Sequence, residues 1–350
     1  MDARPAGGPP AADTPEVAVR RPHAVVAAAL FLGALASAPG ALRAQDAYVR
    51  LPVDSLERLL AHEPFGVVSF EDNRFEGDRT QRAVLAFGDG TRVEVKWARA
   101  PRGGGAFNNH PRYEVAAYRL QQLFLDPEDY VVPPTVVRCV PEAEHRRIDP
   151  AARATFGDDP CVLVVLQYWL QEVAEGEIFH EDRTAWDTTY ARRVCHVNVF
   201  TVLAGHKDAN RGNVLVGRDP HHPRFFAVDN GVAFGSPPSD RGDDWGELRI
   251  DRLPRATVER LRGISLEDLE AALGVVAQLE RRDGVRVPVE PGPNLDPGDG
   301  IRRAGGVWKL GLTGREIRDV HRRLRRLLDD VDEGDVALFG PGCSDREGRC

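Results

Sequence analysis

Residues 205–216 read GHKDANRGNVLV and residues 225–235 read FFAVDNGVAFG. Asp208 and Asn213 stand five apart between apolar stretches, and Asp229 closes an apolar run. Upstream, Lys96 interrupts RVEVKWA, and Glu114 lies near the start of PRYEVAAYRLQQLFL. Taken singly these are ordinary residues; a strand lysine is commonly on a solvent face. In this order they meet the demands of phosphoryl transfer. A nucleoside triphosphate needs a compact cation on its phosphates, which a lysine supplies. The lysine needs a carboxylate to hold it, the task of Glu114. Magnesium or manganese needs hard oxygen ligands, which Asn213 and Asp229 offer. An acceptor hydroxyl needs a carboxylate to orient it and take its proton, the task of Asp208.

The surrounding pattern indicates which elements would position these groups. DSLERLLAH (54–62) has helical spacing. FGVVSFE, TQRAVLAF and RVEVKWA follow, the last two alternating around Gly88-Asp89-Gly90-Thr91. Asp-Gly between alternating runs predicts a hairpin. Residues 65–98 therefore read as a small antiparallel sheet with Lys96 on its third strand. Pro111 opens a helix over 111–125. PPTVVRCV and CVLVVLQYW read as two further strands. In AWDTTYARRVCHVNVFTVL (185–203), Trp186, Tyr190, Val194 and Val197 mark a buried helical face, which Gly205 ends. NVLV and FFAV read as a short strand pair. Helical patterns cover 255–281 and 314–331. Residues 283–306, rich in Gly, Pro and Asp, read as a surface loop.

The fold class expected is α+β in two lobes. Residues 45–166 form a small-sheet lobe, 167–340 a mainly helical one, and 341–350 a tail. Gln167 and Tyr168 lie at the crossing, where a nucleotide would be held. The Gly-Gly-Gly run at 103–105 lacks phosphate-loop spacing and reads as a turn. His221-His222 reads as a solvated turn, and the acidic stretch 240–247 as a solvated loop. Neither G-x-S-x-G nor H-E-x-x-H occurs, so serine-hydrolase and zinc-protease readings have no support.

His206-Lys207-Asp208-x4-Asn213 has the spacing of a kinase catalytic loop, with lysine in place of the usual arginine. HKDANRGNVLV with VDNGVAFG resembles the protein-kinase-like superfamily. RYEVAAYRLQQLF…VVPPTVVRCV and TQR…FGDGTRVEVKWA are similar to the four-jointed and Golgi casein-kinase type of secretory-pathway kinases. AVDNGVAF is also similar to type II phosphatidylinositol 4-kinases, and the GNVLV segment to aminoglycoside phosphotransferases. The closer likeness covers roughly residues 65–235. It implies a two-lobed kinase-like fold using ATP, or another nucleoside triphosphate, with Mg2+ or Mn2+. Lys96 and Glu114 match the phosphate-anchoring pair, Asp208 the catalytic aspartate, and Asn213 and Asp229 the metal ligands. The chain departs from the kinase pattern in lacking G-x-G-x-x-G. Gly77, in FEGDRTQR, is the glycine near the expected phosphate-covering turn.

Bulk properties bound the partners. The chain has 350 residues, is 42% hydrophobic and 29% charged, and carries a net charge of −8. An acidic balance argues against non-specific nucleic-acid binding. Only Lys96, Lys207 and Lys309 are lysines; arginine serves elsewhere. Arg20-Arg21, then the uncharged AVVAAALFLGALASA (24–38), then ALRAQD, give the order of an export signal over 1–44 with cleavage after Ala44. The apolar run is shorter than the ~20 residues a spanning helix needs. A twin-arginine route and an uncleaved anchor are alternatives. Secretion or a periplasmic location, with no stable membrane span once the signal is removed, is expected. Five cysteines fit an exported chain. Cys139 and Cys161 flank a polar loop between two apolar runs and would meet if those runs pair. Cys343 and Cys350 can pair across the tail, which leaves Cys195 as a buried helical thiol. An unpaired state of all five is the alternative.

The leading function is an exported phosphotransferase acting on a protein Ser/Thr or a glycan hydroxyl. A lipid or small-molecule kinase is the second reading, and would want an apolar or basic membrane-facing patch that 236–262 does not plainly offer. A non-catalytic nucleotide-binding protein on the same scaffold is the third.

Overall fold

The computed structural model describes residues 47–71, 80–106, 109–209, 211–219, 222–236 and 248–340. The expected export segment, Gly77, the 240–247 stretch and the 343/350 cysteines lie outside these residues. From Gln45 onward the chain forms one compact unit.

The fold is α+β. Helix α1 (Val53–His62) precedes strands β1 (Phe65–Phe70), β2 (Thr80–Phe87) and β3 (Arg92–Arg99). The β2–β3 turn closes where Asp-Gly predicts it, with Gly90 at φ 86°. Helix α2 (Pro111–Gln121) has Pro111 in its first turn, where a missing N–H costs nothing. Strand β4 (Thr135–Pro141), the short helix α3 (Glu142–His145) and β5 (Cys161–Tyr168) complete a five-stranded antiparallel sheet in the order β1-β2-β3-β5-β4.

Both faces of this sheet are covered. Val93, Val95 and Trp97 of β3, with Val164 and Leu166 of β5, pack against Leu56, Leu59 and Leu60 of α1. Ala98, Leu163 and Val165 face the opposite way, into the core shared with α2. Strand alternation therefore puts Lys96, in step with Ala98, on the α2 side. The lysine is only 7% exposed, so the solvent-face alternative is excluded.

Cys139 and Cys161 form a disulfide with Cα atoms 5.5 Å apart, and Cys195 is a buried free thiol. Burial pushes the Cys195 thiol pKa up, which keeps it protonated and unreactive.

The second half begins with β6 (Val173–Glu175) and α4 (Glu181–Trp186). Helix α5 (Thr188–Ala204) is capped by the Asp187 carboxylate, which accepts the Tyr190 N–H. The helix expected over 185–203 is thus two helices. Trp186 falls outside the buried face, at 74% exposed, because Asp187 breaks the chain into a new cap. Gly205 ends α5 in the left-handed conformation, φ 57°, as its position predicts. Strands β7 (Val214–Gly217) and β8 (Phe225–Ala227) pair antiparallel, with β6 on their edge.

Next come β9 (Arg252–Pro254), α6 (Arg255–Arg262) and α7 (Leu266–Leu273). Strands β10 (Ala277–Arg282), β11 (Val285–Val289), β12 (Ile301–Ala304) and β13 (Val307–Leu310) make a four-stranded antiparallel sheet. Helix α8 (Gly314–Glu333) follows, and β14 (Ala337–Phe339) pairs parallel with β9.

Two expectations are corrected here. The helical patterns over 255–281 are α6, α7 and a strand: Ser265 starts a new capping box, and 277–280 pairs with the Trp308 strand. Tertiary pairing overrides the helical spacing of that segment. The surface loop over 283–306 is largely two hairpins. Asp283-Gly284 has φ 50° and 81°, and Gly305-Gly306 has 56° and 78°. Two consecutive residues of positive φ make each of these two hairpin turns. Among the described residues no helix is long and apolar enough to cross a membrane.

The disulfide closes a sequence separation of 22 residues. In the loop-entropy account its reduction should lower unfolding free energy by about 3 kcal/mol. Non-reducing digestion of residues 45–350 should give a linked Cys139–Cys161 peptide. Quantitative thiol labelling of both without reductant would contradict this.

Candidate active site

Lys96 is the centre of the site. Its Nζ donates to Glu114 Oε1 at 2.9 Å and to Asp229 Oδ1 at 2.5 Å. Glu114 uses its second oxygen too, accepting the Asn230 N–H at 3.1 Å. One carboxylate therefore joins β3, α2 and the turn after β8. Burial alone would pull the lysine pKa down, but Asp229 and then Glu114 more than offset it and raise it. The ammonium stays charged.

Asp229 reaches the lysine from a strained backbone. Its φ is 55° and ψ 47°, the left-handed region, which a non-glycine residue occupies at a cost of roughly 1–3 kcal/mol. The turn is held by neighbours: Lys207 N–H donates to the Val232 carbonyl at 2.8 Å, and Val228 N–H to the Asn213 carbonyl at 2.9 Å. These bonds stitch the 205–213 loop to the 228–234 segment.

Within the loop, the Asn213 amide Nδ2 donates to the Asp208 carbonyl at 2.6 Å. That bond engages the amide nitrogen and leaves the amide oxygen as the atom that could take a cation. Asp208 N–H donates to His206 Nδ1 at 3.2 Å. His206 is buried, and its Nε2 finds no hydrogen-bond partner among the described residues. Burial drives its pKa down to about 4, while Asp208 and Asp229 oppose the shift and Lys96 adds to it. Burial thus keeps the imidazole neutral at ordinary pH. The histidine acts as the uncharged floor of the loop.

The crossing residues divide. Gln167 is directly opposite Lys96 across the β3–β5 pair, and its amide donates to Thr135 Oγ1 at 2.9 Å. It shares the lysine's face. Tyr168 does not: its ring packs in the α1-side core, and its hydroxyl accepts the Arg50 N–H at 3.2 Å. Strand alternation turns its side chain away from the lysine, so Tyr168 cannot hold a ligand there with its ring.

Among the described residues no three His, Cys, Asp or Glu side chains converge as a ready metal site. The available set is one carboxylate, Asp229, and one amide oxygen, Asn213. Two hard oxygens fit a small divalent cation that keeps waters and completes its shell with phosphate. A cavity of about 700 Å³ lies elsewhere, lined in part by Phe179, Thr184, Cys195, Arg249 and Arg252. None of the lysine cluster lines it.

Sequence reasoning missed Arg112, Tyr113 and Glu316. Arg112 forms a two-pronged pair with Glu316, at 2.6 and 2.7 Å, and Tyr113 donates to the same carboxylate at 2.5 Å. The available signal was Thr313-x-x-Glu316, a capping-box pattern at the start of α8.

No family model matches the chain, and no curated protein matches it. Solved structures similar to it include the following two. The structure of hydra Fam20 with sugar shares 12% identity over 83% of this chain and 93% of its own, with a TM-score of 0.48. The crystal structure of the Golgi casein kinase shares 13% identity over 81% of this chain and 76% of its own, with a TM-score of 0.44. At such identities and TM-scores the likeness assigns no activity.

The neutral His206 carries a pH signature. In the unfolded chain a histidine titrates near ~6.5. With the folded value depressed to about 4, the unfolded state takes up the proton first. Stability should be full above pH ~6.5 and fall as pH drops towards 4, by up to about 1.4 kcal/mol per pH unit from this residue. His206→Gln should flatten that part of the denaturant-midpoint profile. An identical slope in the variant would contradict the assignment.

Proposed function

We propose that this chain is a metal-dependent phosphotransferase that moves the γ-phosphoryl group of ATP, or another nucleoside triphosphate, onto an alcohol. The observation that carries the reading is the buried lysine bridging a helix carboxylate and the Asp229 carboxylate. One ammonium between two carboxylates leaves a net negative charge. A divalent cation on Asp229 and Asn213 would reverse that sign and make the site receptive to phosphates. Lys96 would then hold phosphate oxygens while Glu114 keeps it in place. Gln167, on the same face, borders the space for the nucleotide.

The acceptor side belongs to Asp208. Its carboxylate would orient an incoming hydroxyl and take its proton as the oxygen forms a bond to the γ-phosphorus. The bond from that phosphorus to the β–γ bridging oxygen breaks, and the nucleoside diphosphate leaves with the electron pair. The bound cation would balance charge on the phosphates. The sequence resemblance to secretory-pathway kinases favours a protein Ser/Thr or a glycan hydroxyl as acceptor. The Cys139–Cys161 disulfide favours an oxidising compartment and so an exported enzyme. Residues 45–166 and 167–340 would be the two lobes enclosing the nucleotide, with Gly77 in the covering turn.

Residues 45–350, offered labelled ATP or GTP with manganese or magnesium and a panel of proteins and glycans, should label an acceptor. Asp208→Ala should slow turnover about 10²–10⁴-fold while nucleotide binding stays nearly intact. Asp229→Ala should abolish turnover and also weaken metal-dependent nucleotide binding. Asn213→Ala should resemble Asp229→Ala more mildly, since a neutral amide binds a cation less strongly. If Asp208→Ala loses metal–nucleotide binding and Asp229→Ala keeps it, the roles are inverted. Full turnover in all three would defeat the reading.

A further inference from the structure

Glu114 can hold Lys96 only if α2 is itself held. Its first turn carries the anchor. Arg112 forks onto both oxygens of Glu316, at 2.6 and 2.7 Å, and also donates to the Gly311 carbonyl at 3.2 Å. Tyr113 donates to Glu316 Oε1, and its ring lies 5.6 Å from that of Phe234. Arg112 and Glu316 side chains are about nine-tenths buried. Glu316 meanwhile accepts the Thr313 N–H at 2.8 Å, in the capping box that opens α8.

The segment that carries Asp229 ends at the same carboxylate. Phe234 has φ 53°, an outlier for a bulky residue. It is pinned by its N–H to the Ala204 carbonyl at 2.7 Å and by the Tyr113 ring. A Cβ on Gly235 would stand 2.7 Å from Glu316 Oε1. The backbone there has been brought against the carboxylate as closely as glycine allows. Asp229 and Phe234, the two strained residues, thus bracket a short segment that is tied at one end to Lys96 and at the other to the Tyr113–Glu316 group.

We propose that Glu316 is a positioning residue: through Arg112 and Tyr113 it locks α2 and the 229–235 segment together, so that Glu114 and Asp229 are held at Lys96. This rests on the phosphotransferase reading for its consequence, but not for its geometry. The helix carrying the lysine's partner is not free to swing, because it is bolted to the C-terminal helix α8 by a buried, two-pronged ion pair. Burial opposes ionisation of Glu316, yet the Arg112 bonds and the Tyr113 hydroxyl hold its pKa at about 2. The pair therefore stays charged at neutral pH.

Amide hydrogen exchange on residues 45–350 tests the lock directly. Glu316→Gln keeps an acceptor for the capping box but removes the charge; Gly235→Ala keeps the charge and crowds it. Both should speed exchange at least ten-fold in residues 115–121 and 230–235, with β2, β3 and α5 unchanged. Glu316→Asp should recover part of the protection. Arg112→Ala combined with Glu316→Gln should be no worse than either alone, as expected for one coupled unit. In the phosphotransfer assay Glu316→Gln should lower kcat about ten-fold or more and leave acceptor KM unchanged. Unchanged exchange in 115–121, uniform acceleration across the chain, or additive losses would overturn the proposal. Wild-type protein that neither binds nor uses a nucleotide would count against the function alone, and the exchange pattern would still decide the lock.

Discussion

A lysine ammonium buried in a protein interior must be compensated on the spot. Taking an unpaired charge out of water costs several kcal/mol, more than a typical domain can spare. Lys96 meets that demand with carboxylates 18 and 133 residues away. Much of the architecture follows from this constraint. Strand β3 must be covered on both faces, α2 must lie across one of them, and the turn after β8 must return under the sheet. The left-handed backbone at Asp229 is one local consequence, and the Glu114 bond to the Asn230 N–H is another. Breaking one partner of such a group would leave the others uncompensated, at roughly 3–5 kcal/mol.

The site is assembled from parts of unequal rigidity. Lys96 and Gln167 belong to a sheet packed on both sides. Asp208 and Asn213 belong to a loop, but one held by main-chain bonds to the 228–234 segment and floored by a neutral histidine. Neutrality of His206 matters electrostatically. A cation there would compete with Lys96 for the carboxylates and weaken any attraction for a metal ion.

Much of this was legible in the sequence because it depends on local chemistry. The Asp-Gly turn, Pro111 and Gly205 each act within a few residues, and each stands where the pattern puts it. The joining of Lys96 to Glu114 and Asp229 could be anticipated because a strand lysine, a helix glutamate and a strand-end aspartate occur in one chemically meaningful order. What was not legible depends on distant partners. Residues 277–280 have helical spacing, yet pair as a strand with Trp308 and Leu310. Tyr168 lies at the crossing, but strand parity sends its ring into the other core. The turn at 283–284 carries the same Asp-Gly signal as 89–90 and the turn at 305–306 is Gly-Gly; both were obscured by the composition of the segment around them. Arg112 and Glu316, 204 positions apart, look like two more charges among many in a chain rich in them.

The central claim is that Lys96, Glu114 and Asp229 form a metal–nucleotide site. Crystals of residues 45–350 grown with manganese and a non-hydrolysable ATP analogue test it most directly, with anomalous diffraction locating the metal. The account predicts a manganese peak within bonding distance of an Asp229 carboxylate oxygen and the Asn213 amide oxygen, with phosphate oxygens beside Lys96 Nζ. A nucleotide bound elsewhere, or a manganese peak remote from Asp229 with the lysine cluster intact and unliganded, would contradict it.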